Sequence, residues 1–251
     1  MIKVQNISKS FSDNLVLDNI SSSFEKGKAN LIIGQSGSGK TVLLKTIIGL
    51  HEADKGTIYY DDVNFTELDQ KEKKNIRQQI GMLFQGGALF DSETVEQNVM
   101  YPLDMFTNDS YKEKKERVNF CLKRVNLENA NNLYPSELSG GMIKRTAIAR
   151  AIALNPKYLF CDEPNSGLDP ITANVIDNLI KEITEEYNTT TIINTHDMNS
   201  VMEIGDNVIF IYQGKKWWEG NKSDVLHTDN KELNNFVFAS KLNKRIKETI
   251  Q

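Results

Sequence analysis

Residues 34–41, GQSGSGKT, have the composition and spacing of a loop that binds phosphate. Glycines at these positions let successive backbone N–H groups turn toward phosphate oxygens, and the positive end of the following helix supports them. In this G-x-x-x-x-G-K-T pattern we expect Lys40 to reach the β- and γ-phosphates and Thr41 to offer its hydroxyl to Mg²⁺. The cradle itself comprises Gly34, Ser36, Gly37, Ser38 and Gly39. The motif predicts a nucleotide-binding site.

Polar side chains follow three apolar stretches elsewhere in the chain. In YLFCDEP, 158–164, an apolar run precedes Asp162 and Glu163, as in a buried strand that ends in two acids. Beside a phosphate loop, such an aspartate can hold Mg²⁺ through water and such a glutamate can polarise an attacking water. Gln85 ends IGMLFQ, and His196 ends TIINTH. Both are candidate site residues because ligands bind at the carboxyl ends of parallel strands, although the pattern alone leaves a structural role open for each.

The start of a second helix also has the pattern of a phosphate-binding site. In SELSGGMIKR, 136–145, Ser139 is followed by Gly140 and Gly141 and then by a basic amphipathic run. One nucleotide needs only one such loop. The purpose of the second is therefore not explained by the nucleotide site of a single chain.

The surrounding patterns indicate the elements that position these residues. MIKVQNISKSF and LVLDNISSSF alternate apolar and polar residues, which predicts a small antiparallel sheet near the N-terminus. ANLIIG, KYLFCDE and TTTIINTH are apolar runs typical of buried parallel strands, and TVLLKTIIGL has helical spacing. Residues 67–79 form a charged helix with a solvated surface, and residues 91–137 contain helical patterns broken at YPL and YPS. These patterns predict an α/β fold.

Composition excludes several classes of protein. The chain has 251 residues, of which 39% are hydrophobic, and a formal net charge of −4 with a pI near 5.5, which argues against nucleic acid as a partner. No apolar stretch is long enough to span a membrane and the first residues lack a secretory pattern, so we expect any membrane role to be peripheral. Cys121 and Cys161 lie in apolar settings without metal-ligand spacing. We expect both to be buried free thiols in a reducing cytoplasm.

Together, GQSGSGKT, LFQ, LSGGM, YLFCDEP, SGLD and TH resemble the ATP-binding-cassette (ABC) ATPases over almost the whole chain. The resemblance implies a P-loop NTPase fold with a parallel core sheet, an N-terminal antiparallel β-subdomain and a helical insertion, with ATP and Mg²⁺ as cofactors. It implies one ABC ATPase domain over residues 1–251. Its expected parts are a nucleotide-binding core with the β-subdomain at 1–85 and 155–220, a helical insertion with the signature helix at 86–154, and a C-terminal helical tail at 221–251.

The resemblance also implies a role for each motif. Two copies would close head to tail on two ATP molecules, so that Ser139, Gly140 and Gly141 of one copy face the nucleotide held by the other. Phe11 would stack on adenine, and Asp169 would act across the dimer interface. Glu163, His196 and Gln85 would be catalytic, with Thr41, Gln85 and Asp162 around Mg²⁺. Met142 departs from the family pattern, which usually has glutamine there, but the phosphate-facing backbone donors remain.

Several strings resemble one subgroup more closely: MLFQGGALF, NVMYPL, YPSELSGGM, ARAIALNP and DPIT are similar to the ATPase of Mla-type, MCE-associated phospholipid transporters. This implies a cytoplasmic subunit on the bacterial inner membrane, held there by a permease and working with an MCE-domain protein. An importer ATPase for amino acids, metals or another small solute shares every catalytic motif. A nucleotide-switched regulatory subunit with little turnover is a different class, and Glu163 and His196 argue against it.

Two segments could form contacts outside the nucleotide site. Residues 86–103, GGALFDSETVEQNVMYPL, are rich in apolar and small residues, which suits a groove for a membrane subunit; Leu89, Phe90 and Met100 could equally be core residues. Residues 234–251 predict an amphipathic helix that packs on its own domain or contacts a neighbouring ATPase. Its apolar face would carry Phe236, Phe238, Leu242 and Ile246.

Overall fold

The computed structural model describes residues 1–238. Its strands are β1 (Ile2–Phe11), β2 (Asn14–Phe24), β3 (Lys28–Ile33), β4 (Lys55–Tyr60), β5 (Val63–Asn64), β6 (Ile80–Leu83), β7 (Tyr158–Asp162), β8 (Thr190–Thr195), β9 (Asn207–Tyr212) and β10 (Lys215–Gly220). Its α-helices are α1 (Lys40–Ile48), α2 (Gln70–Arg77), α3 (Val95–Phe106), α4 (Tyr111–Arg124), α5 (Gly140–Ile152), α6 (Pro170–Tyr187), α7 (Met198–Ile204), α8 (Lys222–His227) and α9 (Lys231–Val237).

Two sheets form the framework. The smaller is antiparallel in the order β2-β1-β4-β5, which confirms the predicted N-terminal sheet. The larger has the order β10-β9-β3-β8-β7-β6. Its strands β9, β3, β8, β7 and β6 are parallel, while β10 pairs antiparallel with β9 at one edge. The core sheet is therefore parallel, as predicted, with one antiparallel edge strand.

Helix α1 is buried between the sheets because its apolar residues recur on more than one face. Leu43, Leu44, Ile47 and Ile48 are all buried, and they share a core with the small sheet and one face of the large sheet. The opposite face of the large sheet packs with α3–α9 in a second core. Within that core, α5 contacts α3, α4, α6 and β6, so the helix after the LSGG motif joins the helical insertion to the sheet.

The sequence predicted a helix break at Pro102, but the structure shows none. Pro102 lies inside α3. Proline removes one backbone donor from a helix interior and costs about 3 kcal/mol there. A capping box between Thr94 and Gln97 and the buried side chains of Val99 and Leu103 offset that loss. The YPS break is confirmed, because Pro135 begins a short 3₁₀ turn after the end of α4.

Other predictions can be compared directly with the structure. Helix α2 has no buried residue, as expected for a solvated charged helix, and Cys121 and Cys161 are buried free thiols. In the predicted tail, α9 ends at Val237 and Phe238 is buried, whereas Leu242 and Ile246 lie outside the described residues. Within residues 1–238, no helix combines the length and the hydropathy needed to cross a bilayer.

Candidate functional site

The loop between β3 and α1 has the geometry of a phosphate cradle. Gly34 adopts φ 151°, and a Cβ there would lie 2.3 Å from the Ile211 carbonyl oxygen, so no side chain fits at this position. The ammonium of Lys40 donates to the carbonyl oxygens of Gly34 and Gln35 at 2.9 and 3.1 Å. Burial lowers the pKa of Lys40, while the nearby carboxylates of Glu163 and Asp162 act in the opposite direction.

One buried hydroxyl in this loop is unsatisfied. Ser38 Oγ has no hydrogen-bond partner among residues 1–238, although Ser38 is only 8% exposed. A buried polar group without a partner costs about 1–3 kcal/mol. Ser38 does not line the cavity above the loop, and its Oγ lies on the side of Gly34 that also faces the Ile211 carbonyl, so the backbone N–H of Ser38 and not its hydroxyl suits a phosphate.

Asp162 is fixed at the end of β7 by two neighbours. Thr41 donates its hydroxyl to Asp162 Oδ1 at 3.1 Å, and the Asn194 side-chain amide donates to the same oxygen at 3.1 Å. Asp162 and Asn194 are both buried. The pairing of β7 with β8 places Asp162 opposite Asn194, which explains why these two side chains meet. One carboxylate and one hydroxyl suit Mg²⁺, which takes few protein ligands and completes its shell with water and phosphate oxygens.

Glu163 and His196 form the second polar pair of the site. His196 Nδ1 lies 2.7 Å from Glu163 Oε2, with the histidine side chain 62% exposed and the glutamate 12% exposed. Glu163 has φ 51°, a left-handed conformation that is uncommon for a residue other than glycine. The kink directs its carboxylate away from the strand and into the space above the loop. There it can accept a proton from a water held near His196.

A cavity of about 600 Å³ unites most of the predicted residues. Its lining includes Gln35, Ser36, Gly37, Gly39, Lys40, Thr41, Gln85, Glu163 and His196, together with Val16, Val42 and Phe236. The phosphate loop and the residues at the ends of β6, β7 and β8 therefore converge on one space, as the sequence predicts. The size suits a nucleotide-sized ligand.

The other predicted residues lie elsewhere. Ser139 is the N-cap of α5 and accepts from the Met142 backbone N–H at 3.3 Å, while Gly141 is packed so closely on Thr172 that a Cβ would lie 2.8 Å away. Asp169 caps α6, accepting from the backbone N–H groups of Ile171 and Thr172. None of these residues lines the cavity of its own chain. The LSGG helix start is thus separate from the loop at 34–41.

Phe11 also lies outside the lining of the cavity. Its ring is 42% exposed and makes an edge contact with His51, with the ring centroids 5.2 Å apart. The Lys9 ammonium lies over the same ring, 5.5 Å from its centroid. Stacking on adenine stays a prediction.

Three polar residues near the site were not identified from the sequence. Asn194 lies in the fully buried strand β8 directly after Ile192 and Ile193, and a buried amide at that position was a readable signal. Lys144 and Arg150, both on α5, donate to backbone carbonyls of the segment that follows β6. The LSGG helix carries several basic residues, and its sequence does not show which of them point inward.

Comparison with known protein families identifies the family of this chain. Residues 17–166 match the ABC transporter family, and the chain belongs to this family. It is an ATP-binding, ATP-hydrolysing subunit of an ABC transporter, as the resemblance implied.

Individual relatives differ in what they transport. The chain is 42% identical to the methionine import ATP-binding protein MetN 1 of Bacillus thuringiensis subsp. konkukian, covering 100% of this chain and 75% of that protein. It is 38% identical to the intermembrane phospholipid transport system ATP-binding protein MlaF of Haemophilus influenzae, covering 94% and 90%. The Mla-type resemblance is therefore supported only in part, because the identity to the methionine import protein is at least as high.

A solved structure supports the fold and the dimeric arrangement of the family. The chain superposes on the ATP-binding cassette MJ0796, a dimer in a post-hydrolysis state with ADP and Pi, with a TM-score of 0.81. The two chains are 33% identical, and the match covers 88% of this chain and 99% of that cassette. The P-loop NTPase fold of an ABC cassette is thereby confirmed.

Proposed function

We propose that Glu163, His196 and Gln85 carry out ATP hydrolysis above the phosphate loop. The observation that carries the proposal is the Glu163–His196 pair at 2.7 Å in the same cavity as Lys40 and Thr41. Glu163 acts as the general base on the attacking water, and His196 orients that carboxylate and contacts the γ-phosphate. Gln85 lies at the cavity edge, where its amide contacts the same water.

Residues of the loop and of β7 bind ATP and Mg²⁺ in this proposal. Backbone N–H groups from Gly34 to Gly39, including that of Ser38, surround the phosphates together with the hydroxyl of Ser36, and Lys40 neutralises them. Thr41, Asp162 and Gln85 hold Mg²⁺, which neutralises charge on the phosphates when bound. Phe11 stacks on the adenine.

The remaining motif residues act between two copies of the chain. Ser139, Gly140 and Gly141 meet the γ-phosphate held by a second copy, and Asp169 lies at the same interface. This assignment is supported by the separation of the α5 start from the chain's own cavity and by the dimeric MJ0796 structure. The exposed N-terminus of α5 suits an anion because its first N–H groups have no helical partner.

An aromatic groove is the proposed contact for a membrane permease. We define the aromatic groove as the cavity of about 300 Å³ bordered by Phe84, Phe90, Tyr101 and Phe106. Each of these side chains is exposed by 37–46%. Of the three residues named from the sequence, Phe90 borders the groove, whereas Leu89 packs against the core and Met100 is buried. In this proposal the chain lies on the cytoplasmic face of a membrane, where the permease holds it.

Phospholipid is the proposed transport substrate, with a bacterial inner-membrane permease and an MCE-domain protein as partners. The strings around residues 82–103 and 134–155 support this choice, as does Met142 at a position where solute importers usually have glutamine. The similarity to MlaF agrees with it. Import of a small solute such as methionine is the second candidate, and the 42% identity to MetN 1 favours it. In neither case does this chain itself contact the substrate.

The catalytic part is tested with Glu163→Gln. Loss of a general base typically slows turnover by about 10²–10⁴-fold, while ATP binding, measured by calorimetry, stays within error of wild type. Glu163→Asp is the matched control, because it keeps a carboxylate and retains part of the rate. Unchanged hydrolysis by Glu163→Gln would remove Glu163 from the role of base. Hydrolysis below detection in the wild-type chain and its native complex would instead favour a regulatory subunit.

The substrate is tested on the native complex isolated from membranes in mild detergent. Recovery of an MCE-domain protein, phospholipid in the purified complex and ATPase activity that rises on reconstitution into phospholipid vesicles support lipid transport. A soluble solute-binding protein and stimulation by methionine contradict it and favour the importer.

A further inference from the structure

Lys144 connects the LSGG helix to the two segments that carry Gln85 and Glu163. It lies on α5, five residues after Ser139, and is only 4% exposed. Its ammonium donates to the carbonyl oxygen of Gln85 and lies 3.4 Å from the carbonyl oxygen of Glu163. Ser166 Oγ is a third neighbour at 3.5 Å. One side chain thus contacts the backbone of both site segments.

The backbone that Lys144 contacts needs such support. Glu163 is held in the left-handed region, and its N–H donates to the Asn194 carbonyl at 3.0 Å. At the other end of the residue, the carbonyl accepts from Lys144 and from the Ser166 backbone N–H at 3.2 Å. Fixing both ends sets the direction of the Glu163 carboxylate. A general base has to stay within hydrogen-bond reach of its water, so this direction matters for the rate.

Lys144 is poorly explained by stability alone. Burial of the ammonium lowers its pKa, and Lys144 forms no ion pair with a carboxylate within the described part of the chain. A buried charge without an ionic partner is costly, and an apolar side chain of similar volume commonly costs nothing or stabilises. The contacts of Lys144 are instead concentrated on carbonyl oxygens of the site.

A second cation extends the connection along the same helix. Arg150 donates to the carbonyl oxygens of Gly87 and Ala88 at 2.6 and 2.7 Å. Arg150 and Ala88 also border the aromatic groove. The segment from Gln85 to Ala88 is therefore held to α5 at both ends, by Lys144 and by Arg150.

We propose that Lys144 is a positioning residue that couples the two composite ATP sites of the dimer. Within one chain, α5 begins at the γ-phosphate of one site, while Lys144 holds Gln85 and Glu163 of the other. When Ser139 and Gly141 bind the partner's nucleotide, the position or mobility of α5 changes. Because Lys144 joins α5 to the backbone of Gln85 and Glu163, this change alters the position of the Glu163 carboxylate. The proposal rests on the proposed roles of Glu163 and Gln85.

The test compares Lys144→Met, Lys144→Gln and Lys144→Arg with Arg145→Met as matched control. Arg145 is the next residue on α5, and its guanidinium donates to the Asn126 carbonyl oxygen at 3.4 Å. Residues that support a site indirectly typically cost about 10–100-fold when removed, and we expect this loss in kcat for Lys144→Met. KM for ATP and the ATP affinity stay near wild type because Lys144 does not line the cavity. Lys144→Arg recovers most of the rate, and Arg145→Met keeps it.

Coupling is measured in a cycle with Ser139→Ala. If Lys144 transmits engagement of the LSGG helix, Ser139→Ala slows the wild-type background strongly and the Lys144→Gln background weakly, so the two losses are not additive. Additive losses, a wild-type kcat in Lys144→Met and Lys144→Gln, or a kcat loss with a parallel fall in ATP affinity and thermal stability each overturn the proposal. Glu163→Gln, measured alongside, separates these outcomes: full activity of that variant contradicts the proposed function itself.

Discussion

At the residue scale, Asp177 is a buried acid that joins the segments following Glu163 and His196. It is 1% exposed, and burial raises its pKa from 3.8 to about 6. The Asn165 amide donates to Asp177 Oδ2 at 3.1 Å and to Ser200 Oγ at 2.7 Å. Asn165 follows Glu163 closely, and Ser200 lies on α7, directly after His196. The segments that carry the Glu163–His196 pair are therefore also linked below the site.

Asp177→Asn is expected to become more stabilising as pH rises. Below pH 4 the acid is protonated in both the folded and the unfolded chain, so its ionisation costs nothing. Between pH 4 and 6 the carboxyl group of Asp177 ionises in the unfolded chain but stays protonated in the folded one. The free energy of unfolding of the wild type therefore falls by up to about 3 kcal/mol, which corresponds to the difference between the pKa values of 3.8 and about 6. Asparagine cannot ionise and avoids this loss. Urea unfolding of both proteins at pH 4.5 and 7.5 measures the difference, and a gap that is the same at both pH values contradicts the assignment.

Met142→Gln is expected to leave hydrolysis close to wild type. Met142 packs half-buried against the core, and only its backbone N–H meets Ser139 Oγ. A glutamine there costs about 1 kcal/mol of unfolding free energy without changing the phosphate-facing N–H groups. Gly141→Ala is the contrasting variant, because its Cβ would lie 2.8 Å from Thr172 and would shift the helix start. Steady-state ATPase assays compare the two, and an inactive Met142→Gln would show that the methionine side chain itself is needed.

At the element scale, the sequence predicted the strands and the phosphate loop because each carries a local pattern. β3, β7 and β8 are apolar runs with polar ends, and residues 34–41 fit a fixed spacing. Pro102 was misjudged because burial of α3, a tertiary effect, outweighs the missing backbone donor. Lys144 was missed because the inward direction of a helical side chain depends on the elements packed against it. The convergence of Gln85, Glu163 and His196 was predictable from strand ends, whereas their distances were not.

The aromatic groove predicts a specific effect on assembly. Phe90 and Tyr101 lie side by side with ring centroids 4.7 Å apart, and both are exposed. Changing both to aspartate buries two charges if a permease helix covers them, which is strongly unfavourable. We expect reduced co-purification with the membrane subunits and unchanged ATP binding by the isolated chain. Leu89 is unsuitable for this test because it packs against the core.

The control for the groove is Phe120→Asp. Phe120 is 47% exposed on α4 and does not border the groove. It matches either single groove substitution, Phe90→Asp or Tyr101→Asp, in charge and exposure but leaves the proposed contact intact. Equal losses of co-purification in the groove variant and in Phe120→Asp contradict the location of the permease contact.

At the scale of the whole molecule, the two helix starts that read phosphate have different surroundings. The loop at 34–41 opens into the chain's own cavity, together with Glu163 and His196. The start of α5 borders Leu168 and Thr172 on another part of the surface. In the proposed head-to-tail dimer, each α5 start would lie on the partner's cavity, so that closure would require the γ-phosphate between them. The proposed dimer would explain why a chain with one phosphate loop carries a second helix start that suits phosphate.

Complementation between damaged chains tests this arrangement. Ser139→Arg blocks the α5 start with a bulky side chain, and Lys40→Ala removes the ammonium from the phosphate loop; each homodimer has two damaged sites and is expected to be inactive. A mixed dimer has one site built from the intact loop of the first chain and the intact α5 of the second. At equal mixing, half of randomly paired dimers are mixed and each has one intact site of two, so ATPase activity returns to at most about a quarter of wild type.

Two Lys40→Ala preparations mixed with each other are the control and stay inactive. Activity that returns on mixing and rises with protein concentration supports the shared site, whereas a Ser139→Arg chain that hydrolyses ATP alone, at a specific rate independent of its concentration, shows that one chain is sufficient.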